Sequence, residues 1–108
     1  MWAYEYNDIE DPTSFEDAEV VAEVFNLRYL DLGEGNIRLN WEVSGAESVQ
    51  VINLNTGLPL EANGQYSFTD GTIVLEMAKG VQAELEVRPL AFGTPFRAIN
   101  QKVKVWPL

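Results

Sequence analysis

The sequence predicts an all-β chain that folds as a small antiparallel β-sandwich of seven or eight strands. The clearest sign is an uninterrupted alternation over residues 36–44, in which Ile37, Leu39, Trp41 and Val43 share one face. A second alternation covers residues 81–88, and turn signals recur roughly every 8 to 12 residues, as in sandwiches and small barrels. Because a period of two places successive side chains on opposite faces, both runs are predicted to be half-buried strands.

Composition limits what the chain can be. Its 108 residues suffice for one domain with a buried core. The sequence contains neither cysteine nor histidine, which excludes disulfides, thiolate chemistry, Ser-His-Asp triads and His-ligated zinc sites. The apolar runs are too short to cross a bilayer. The acidic start lacks the basic and apolar stretches of a secretory signal, so we expect a cytoplasmic protein if Met1 is the native start.

Charge divides the chain into two parts. The net charge is −10, and residues 1–35 carry ten acids and one base, whereas residues 36–108 have a net charge of only −1. We therefore interpret residues 1–23 as an acidic N-terminal segment and residues 24–108 as the sandwich. A nucleic-acid partner is not expected, because binding a phosphate backbone needs clustered lysines and arginines.

The acidic N-terminal segment has one candidate helix, over residues 14–21. Thr13 or Ser14 could cap it, and the following acids would lie in its first turn, where the helix dipole favours them. The β-branched residues Val20, Val21 and Val24 favour a strand instead, so the strand remains the alternative.

From residue 24 onward the pattern predicts only strands. They are expected at residues 25–30, 36–44, 48–54, 65–68, 72–77, 81–88 and 97–106, with a short edge piece at residues 58–60 that Pro59 limits. In the run at 81–88 we expect Val81, Ala83, Leu85 and Val87 to face inward and Gln82, Glu84, Glu86 and Arg88 to face outward.

Opposite charges predict one strand pairing. Glu84 and Glu86 share the outer face of the strand at 81–88, and Lys102 and Lys104 share a face of the last strand. We expect these strands to be antiparallel neighbours, although exposed charge pairs of this kind contribute only about 0.2 to 1 kcal/mol each.

One string also resembles a known group of domains. Residues 37–46, IRLNWEVSGA, followed by Val49-Gln50-Val51, resemble a recurrent bacterial and phage immunoglobulin-like domain with an apolar-x-Leu-x-Trp-x-Val-x-Gly-Ala strand. The likeness covers roughly residues 24–108. Thr72-Ile73-Val74-Leu75 would form the later strand without the usual tyrosine, and Arg88-Pro89-Leu90 breaks the penultimate strand. The resemblance implies an immunoglobulin-like sandwich and a non-enzymatic spacer or binding module, and it carries over no catalytic residue.

The aromatic residues divide into core and surface candidates. Trp41 shares a face with Ile37, Leu39 and Val43, so we expect it in the core rather than at a ligand site. The aromatics near the termini lie outside clean apolar faces and are candidates for partner binding, although they could simply cover an open end of the sandwich. These candidates are Trp2, Tyr4, Tyr6 and Trp106.

The acids Asp8, Glu10 and Asp11 complete the candidate partner-binding set. Their carboxylates could in principle bind Ca²⁺, but the spacing lacks the central glycine of an EF-hand loop, so a solvated acidic segment is the better interpretation. No metal, cofactor or catalytic residue is predicted.

These features favour a non-catalytic interaction or spacer module that uses its acidic segment and terminal aromatics. Its partner would be another protein or a neighbouring domain with a basic surface, and neither nucleic acid nor a membrane. A carbohydrate-binding module that uses exposed aromatics with Asn53, Asn55 and Gln65 is the alternative, and an acidic inhibitor that imitates nucleic acid is a weaker one. The sequence leaves the oligomeric state open, because the edges of an open sandwich can pair with a second copy.

Overall fold

The computed structural model describes residues 20–90 and 96–108, and this part of the chain is all-β. Its strands form two four-stranded sheets that share one core, which confirms the predicted all-β class and the two-sheet arrangement. In the described residues the strands are β1 (Val20–Gly33), β2 (Asn36–Ser44), β3 (Ser48–Asn53), β4 (Leu58–Pro59), β5 (Thr72–Glu76), β6 (Ala83–Leu90), β7 (Phe96–Ile99) and β8 (Gln101–Val105).

The first sheet has the order β5-β2-β1-β7 and the second has the order β4-β3-β6-β8. All pairings are antiparallel except that of β1 with β7, which is parallel. The last predicted strand is therefore divided. Its first part, β7, belongs to the first sheet, and its second part, β8, belongs to the second sheet, with Asn100 between them.

The core lies between the sheets and is built from the predicted alternating faces. Ile37, Leu39 and Trp41 of β2 are buried, and Trp41 is only 3% exposed, which confirms its predicted core position. Leu85 and Val87 of β6 face them from the second sheet and are fully buried. Burying side chains of this size contributes roughly 1.5 to 3 kcal/mol each to folding.

A bulge in β1 changes which positions of that strand face the core. Ala22 and Val24 are buried before it, whereas Leu27 and Tyr29 pack on the core after it. The extra residue lies between Phe25 and Arg28, where the register with β2 shifts and Asn26 has φ of 56°. Asparagine tolerates this left-handed conformation better than most residues.

The glycine that follows β2 allows two strands to approach closely. Gly45 has φ of 79°, and a Cβ atom there would overlap the carbonyl oxygen of Val21 and lie 3.0 Å from the Cα of Ala22. Only glycine fits such a left-handed position against a neighbouring backbone. Gly45, at the end of the β2 alternation, thus has a structural role at the start of β1.

The candidate helix at residues 14–21 is wrong at its C-terminal end. Val20 and Val21 belong to β1, whose residues 20–23 pair in parallel with β7. The β-branched residues favour the strand here, and backbone pairing with β7 adds to that preference. Residues 14–19 lie outside the described residues. β1 also crosses the predicted boundary between the acidic N-terminal segment and the sandwich, which lies between residues 23 and 24.

Two positions of the run at 81–88 face differently from the prediction. Val81 is 56% exposed, because β6 begins only at Ala83 and Val81 lies in the preceding loop. Glu86, expected to be exposed, is only 9% exposed. It lies between Ile52 and Lys102 of the neighbouring strands, and its carboxylate accepts a hydrogen bond of 2.7 Å from Nε of Arg88.

The predicted strand at residues 65–68 is reduced to isolated bridges. Phe68 exchanges two backbone hydrogen bonds of 2.9 Å with Val49 of β3, and Ala62 pairs with Gln65 across the Asn63-Gly64 turn. The segment therefore covers part of the β3 edge without forming a continuous ladder.

The charge-based prediction of strand pairing is confirmed. β6 and β8 are antiparallel neighbours in which Glu84 lies opposite Lys104 and Glu86 lies opposite Lys102. The predicted edge piece is confirmed as well, since β4 consists of Leu58 and Pro59 at the edge of the second sheet.

Candidate functional site

The C-terminal tail, residues 106–108, presents apolar side chains from a fixed backbone. The burial pattern of β8 continues through the tail, so that Val105 and Pro107 are buried while Trp106 is 56% and Leu108 is 73% exposed. Pro107 therefore anchors the tail, and the two large apolar side chains on either side of it face solvent.

Hydrogen bonds to the backbone of the tail hold it against β1 and the turn that follows β1. The Leu108 amide donates to Oδ2 of Asp31 at 3.0 Å, and the Gly35 amide donates to the backbone oxygen of Leu108 at 3.0 Å. The Trp106 amide makes a longer contact of 3.4 Å with the Tyr29 hydroxyl. Because this backbone is already fixed, the tail loses little further backbone freedom on binding, which favours affinity.

The loop between β5 and β6 adds a third exposed apolar residue at this end of the sandwich. Its Gly80 amide donates a 2.7 Å hydrogen bond to the carbonyl of Pro107, and Val81 follows directly. Val81, Trp106 and Leu108 are here called the apical patch. Single exposed apolar residues are common, but several at one end of a domain, with a tryptophan among them, are typical of interaction surfaces.

A small polar pocket lies beside the apical patch. Its volume is about 200 Å³, and its lining includes Asn55, Glu84 and Lys104. Lys104 is exposed in alternation with Trp106, so both belong to the same face of the chain. The pocket is smaller than the roughly 300 to 1,000 Å³ of typical small-molecule sites, so it could hold only a compact polar group.

Two of the three side-chain amides proposed to contact sugar each accept a hydrogen bond within the fold. Oδ1 of Asn53 accepts a hydrogen bond of 2.9 Å from the backbone amide of Asn55. Oδ1 of Asn55 accepts one of 2.9 Å from the backbone amide of Glu84. Both bonds stabilise the turn between β3 and β4. Gln65 is exposed in a different loop, so the structure does not bring the three amides into one site.

Of the seven predicted partner-binding residues, the structure describes one. Trp106 is exposed, as a binding residue must be. The other six, Trp2, Tyr4, Tyr6, Asp8, Glu10 and Asp11, lie outside the described residues. Sequence reasoning missed Leu108, and it assigned Val81 to the core. No pattern in the sequence signals that the tail bonds to residues more than 70 positions earlier.

Acidic side chains within the described ranges belong to both sheets and to several turns. Asp31 of β1 holds the tail, and Glu34 in the next turn forms an exposed ion pair of 3.5 Å with Lys79. Glu84 and Glu86 stand on the other sheet. This distribution gives no support to an acidic face that imitates nucleic acid.

Among residues 20–90 and 96–108, no three acidic, histidine or cysteine side chains are grouped so that they could hold a metal ion. The same part of the chain contains no helix that could span a membrane.

Comparison with protein-family models, with curated proteins and with solved structures finds no match to this chain.

Proposed function

We propose that the chain is a non-catalytic interaction or spacer module with an immunoglobulin-like fold. The observation that carries this proposal is the apical patch, in which Trp106 is more than half exposed on a tail fixed by hydrogen bonds to two loops. Tryptophans of this kind are enriched among residues that dominate binding energy.

The strand order supports the immunoglobulin-like part of the proposal. With β1, β2, β3, β4, β5, β6 and β8 labelled A, B, C, C′, E, F and G, the first sheet contains A, B and E together with β7, and the second contains C′, C, F and G. In immunoglobulin-like sandwiches, A, B and E likewise share one sheet, and C, F and G share the other.

The charge distribution supports a contribution of the acidic N-terminal segment to partner binding. Residues 1–19 carry seven of the 17 acids and none of the seven bases. They join the sandwich at Val20, the first residue of β1, whereas the tail bonds to the opposite end of that strand. At about 3.3 Å per residue, these points are roughly 40 Å apart. The acidic segment is thus attached at the end of β1 that lies far from the apical patch, an arrangement that suits a spacer between two neighbours.

The proposed partner is another protein or a neighbouring domain with a basic surface. Attraction between exposed charges is screened within about 8 to 10 Å at physiological ionic strength, so the complex should weaken as salt rises. Neither nucleic acid nor a membrane is proposed as a partner. A cytoplasmic location is proposed if Met1 is the native start.

The test compares variants of the full chain as immobilised bait for proteins from the source organism, at low and high salt. Trp106→Ala should lose captured proteins through the apical patch. A triple variant, Asp8→Asn with Glu10→Gln and Asp11→Asn, should lose those bound through the acidic segment. Tyr66→Ala is the matched control, because Tyr66 is an aromatic residue that is 53% exposed on a different loop. Identical capture by the wild-type chain and all three variants would contradict the proposal.

A carbohydrate-binding module is the second candidate, favoured by the polar pocket that shares a face with Trp106. A glycan array with the full chain and Trp106→Ala tests it. Binding that the substitution abolishes would support it, whereas an array without binding would remove it.

A further inference from the structure

β5 forms one edge of the first sheet, and β7 forms the opposite edge. On one side β5 pairs with β2, and no other described strand pairs with it. Thr72, Val74 and Glu76 are exposed, and Val74 is 46% exposed. The edge is thus open to solvent along its length, so far as residues 20–90 and 96–108 are concerned.

Two hydrogen bonds reveal which backbone groups of β5 lack a partner in the sheet. The Trp41 amide donates to the Gly71 carbonyl at 3.0 Å, and the Met77 amide donates to the Gly35 carbonyl at 2.7 Å. In an antiparallel pair, hydrogen-bonded positions alternate, so the odd-numbered residues from 71 to 77 bond to β2. The amides and carbonyls of the even-numbered residues between them therefore point away from the sheet.

The other described edges carry features that discourage strand addition. β4 has only two residues, and one of them is Pro59, which lacks an amide hydrogen. β8 carries Lys102 and Lys104, and β7 is only four residues long. Lysine, proline and short length are the common protections of edge strands. β5 has five residues and contains neither proline nor lysine.

We propose that β5 binds a second copy of this chain, with the two β5 strands antiparallel about a two-fold axis at Val74. The sequence of β5 fits itself in this register. Val74 lies opposite Val74 of the second copy, so that two exposed apolar side chains meet. Glu76 lies opposite Thr72 of the second copy, which keeps the like charges of the two Glu76 side chains apart.

The same register satisfies the outward-pointing backbone groups. Thr72, Val74 and Glu76 of each copy would exchange amide and carbonyl hydrogen bonds with Glu76, Val74 and Thr72 of the other. The two first sheets would then form one continuous sheet of eight strands. On its outer face Leu30, Arg38 and Val74 lie in one cross-strand row, which the second copy would extend.

This contact is small, and its salt dependence is distinctive. A five-residue edge buries far less than the roughly 1,200 Å² of a stable interface, so the dimer should be weak and depend on concentration.

Two chains that each carry a net charge of −10 repel one another. Salt screens that repulsion and should strengthen the dimer, whereas it weakens the proposed complex with a basic partner.

Sedimentation equilibrium of the full chain at several concentrations, in low and in high salt, tests the proposal. We expect a monomer–dimer equilibrium that salt shifts toward the dimer. Val74→Lys would set two lysines opposite each other across the axis and should weaken association roughly tenfold or more. The matched control is Leu58→Lys, the same change of charge at a residue that is 64% exposed on β4, and it should leave association unchanged.

Val74→Pro is a second variant that introduces no charge and acts chiefly through the backbone. It removes an amide hydrogen that points away from β2, so the fold should tolerate it, as thermal melting would verify, while dimerisation is lost. A wild-type chain that stays monomeric at every concentration and salt would overturn the proposal. So would a dimer that persists in Val74→Lys, because another surface would then hold it together.

Discussion

Gly45 is the residue whose replacement the backbone should tolerate least. Gly45→Ala would force a side chain into a left-handed conformation and into the backbone of Val21 and Ala22. We expect it to lower the free energy of unfolding by roughly 3 kcal/mol or more. Gly57→Ala is the control, because Gly57 has a similar φ of 77° with nothing within 4 Å of the added Cβ. It should cost only about 1 to 2 kcal/mol. If both variants lose the same free energy of unfolding in urea, the close approach of Gly45 to Val21 and Ala22 does not add to the cost of the substitution.

Asp31 links the β1–β2 turn to the C-terminal tail. Its two carboxylate oxygens accept hydrogen bonds from the amides of Gly33 at 2.7 Å and Leu108 at 3.0 Å. Asp31→Ala should lower the free energy of unfolding by roughly 1 to 3 kcal/mol and release the tail. Faster hydrogen exchange at the Leu108 amide would report that release. Asp70→Ala, at an exposed acid elsewhere, should leave that exchange rate unchanged.

Single side chains could be assigned to a face where the strand alternation is unbroken. Trp41 was predicted correctly because four apolar positions of β2 fix its phase. Val81 was not, because Gly80 has φ of 74° and the strand begins only after it. Glu86 is buried by neighbours on two other strands. Its pairing with the strand of Lys102 was predicted from charge, but its position next to Ile52 on the other side was not.

The first residues of β1 contribute to the sandwich although they belong to the acidic part of the sequence. Residues 20–23 pair with β7, and Ala22 is fully buried. A chain of residues 24–108 should therefore unfold with a free energy roughly 2 to 4 kcal/mol lower than a chain of residues 20–108. Thermal and urea unfolding of the two truncations would measure the difference, and equal stability would exclude a role for the β1–β7 pairing.

The β6–β8 pair allows the cross-strand charges to be measured. Lys104→Glu would place two carboxylates opposite each other and should cost roughly 0.2 to 1 kcal/mol. Adding Glu84→Lys restores opposite charges with their order reversed, so the double variant should recover most of the loss. A double-mutant cycle in urea gives the coupling energy. A coupling of zero would mean that the pairing specifies register without contributing stability.

The positions of the strands along the sequence were more predictable than the sheet to which each strand belongs. Alternation and turn residues predicted β2, β3, β5 and most of β6. The division of the last strand into β7 and β8 was not predicted, because both parts look like one continuous β run and only pairing with different sheets separates them. The bulge in β1 is visible in the order of core-facing positions, which have even numbers before Asn26 and odd numbers after it.

Charge on the complete chain should give two association reactions with opposite salt responses. Residues 1–19 hold a net charge of −7, and residues 20–108 hold ten acids and seven bases. Light scattering across a salt series should show self-association increasing, while capture of basic partners decreases. If both reactions respond in the same direction, long-range charge controls at most one of them.

Of the three residues of the apical patch, sequence reasoning identified only Trp106. Trp106 could be singled out because it lies outside any clean apolar face. The partners that fix the tail could not be predicted, because Tyr29 and Asp31 lie 77 positions away from Trp106 and Leu108, respectively, and only the folded topology brings them together.

The parallel pairing of β1 with β7 also determines how the molecule would bear tension. A force that pulls Val20 and Leu108 apart would slide β1 along β7, because the two strands run in the same direction and the tail leaves from the far end. The evenly spaced hydrogen bonds of a parallel pair would then carry the load together rather than breaking one after another. Such a shear geometry resists extension, as a spacer that joins two moving neighbours would require.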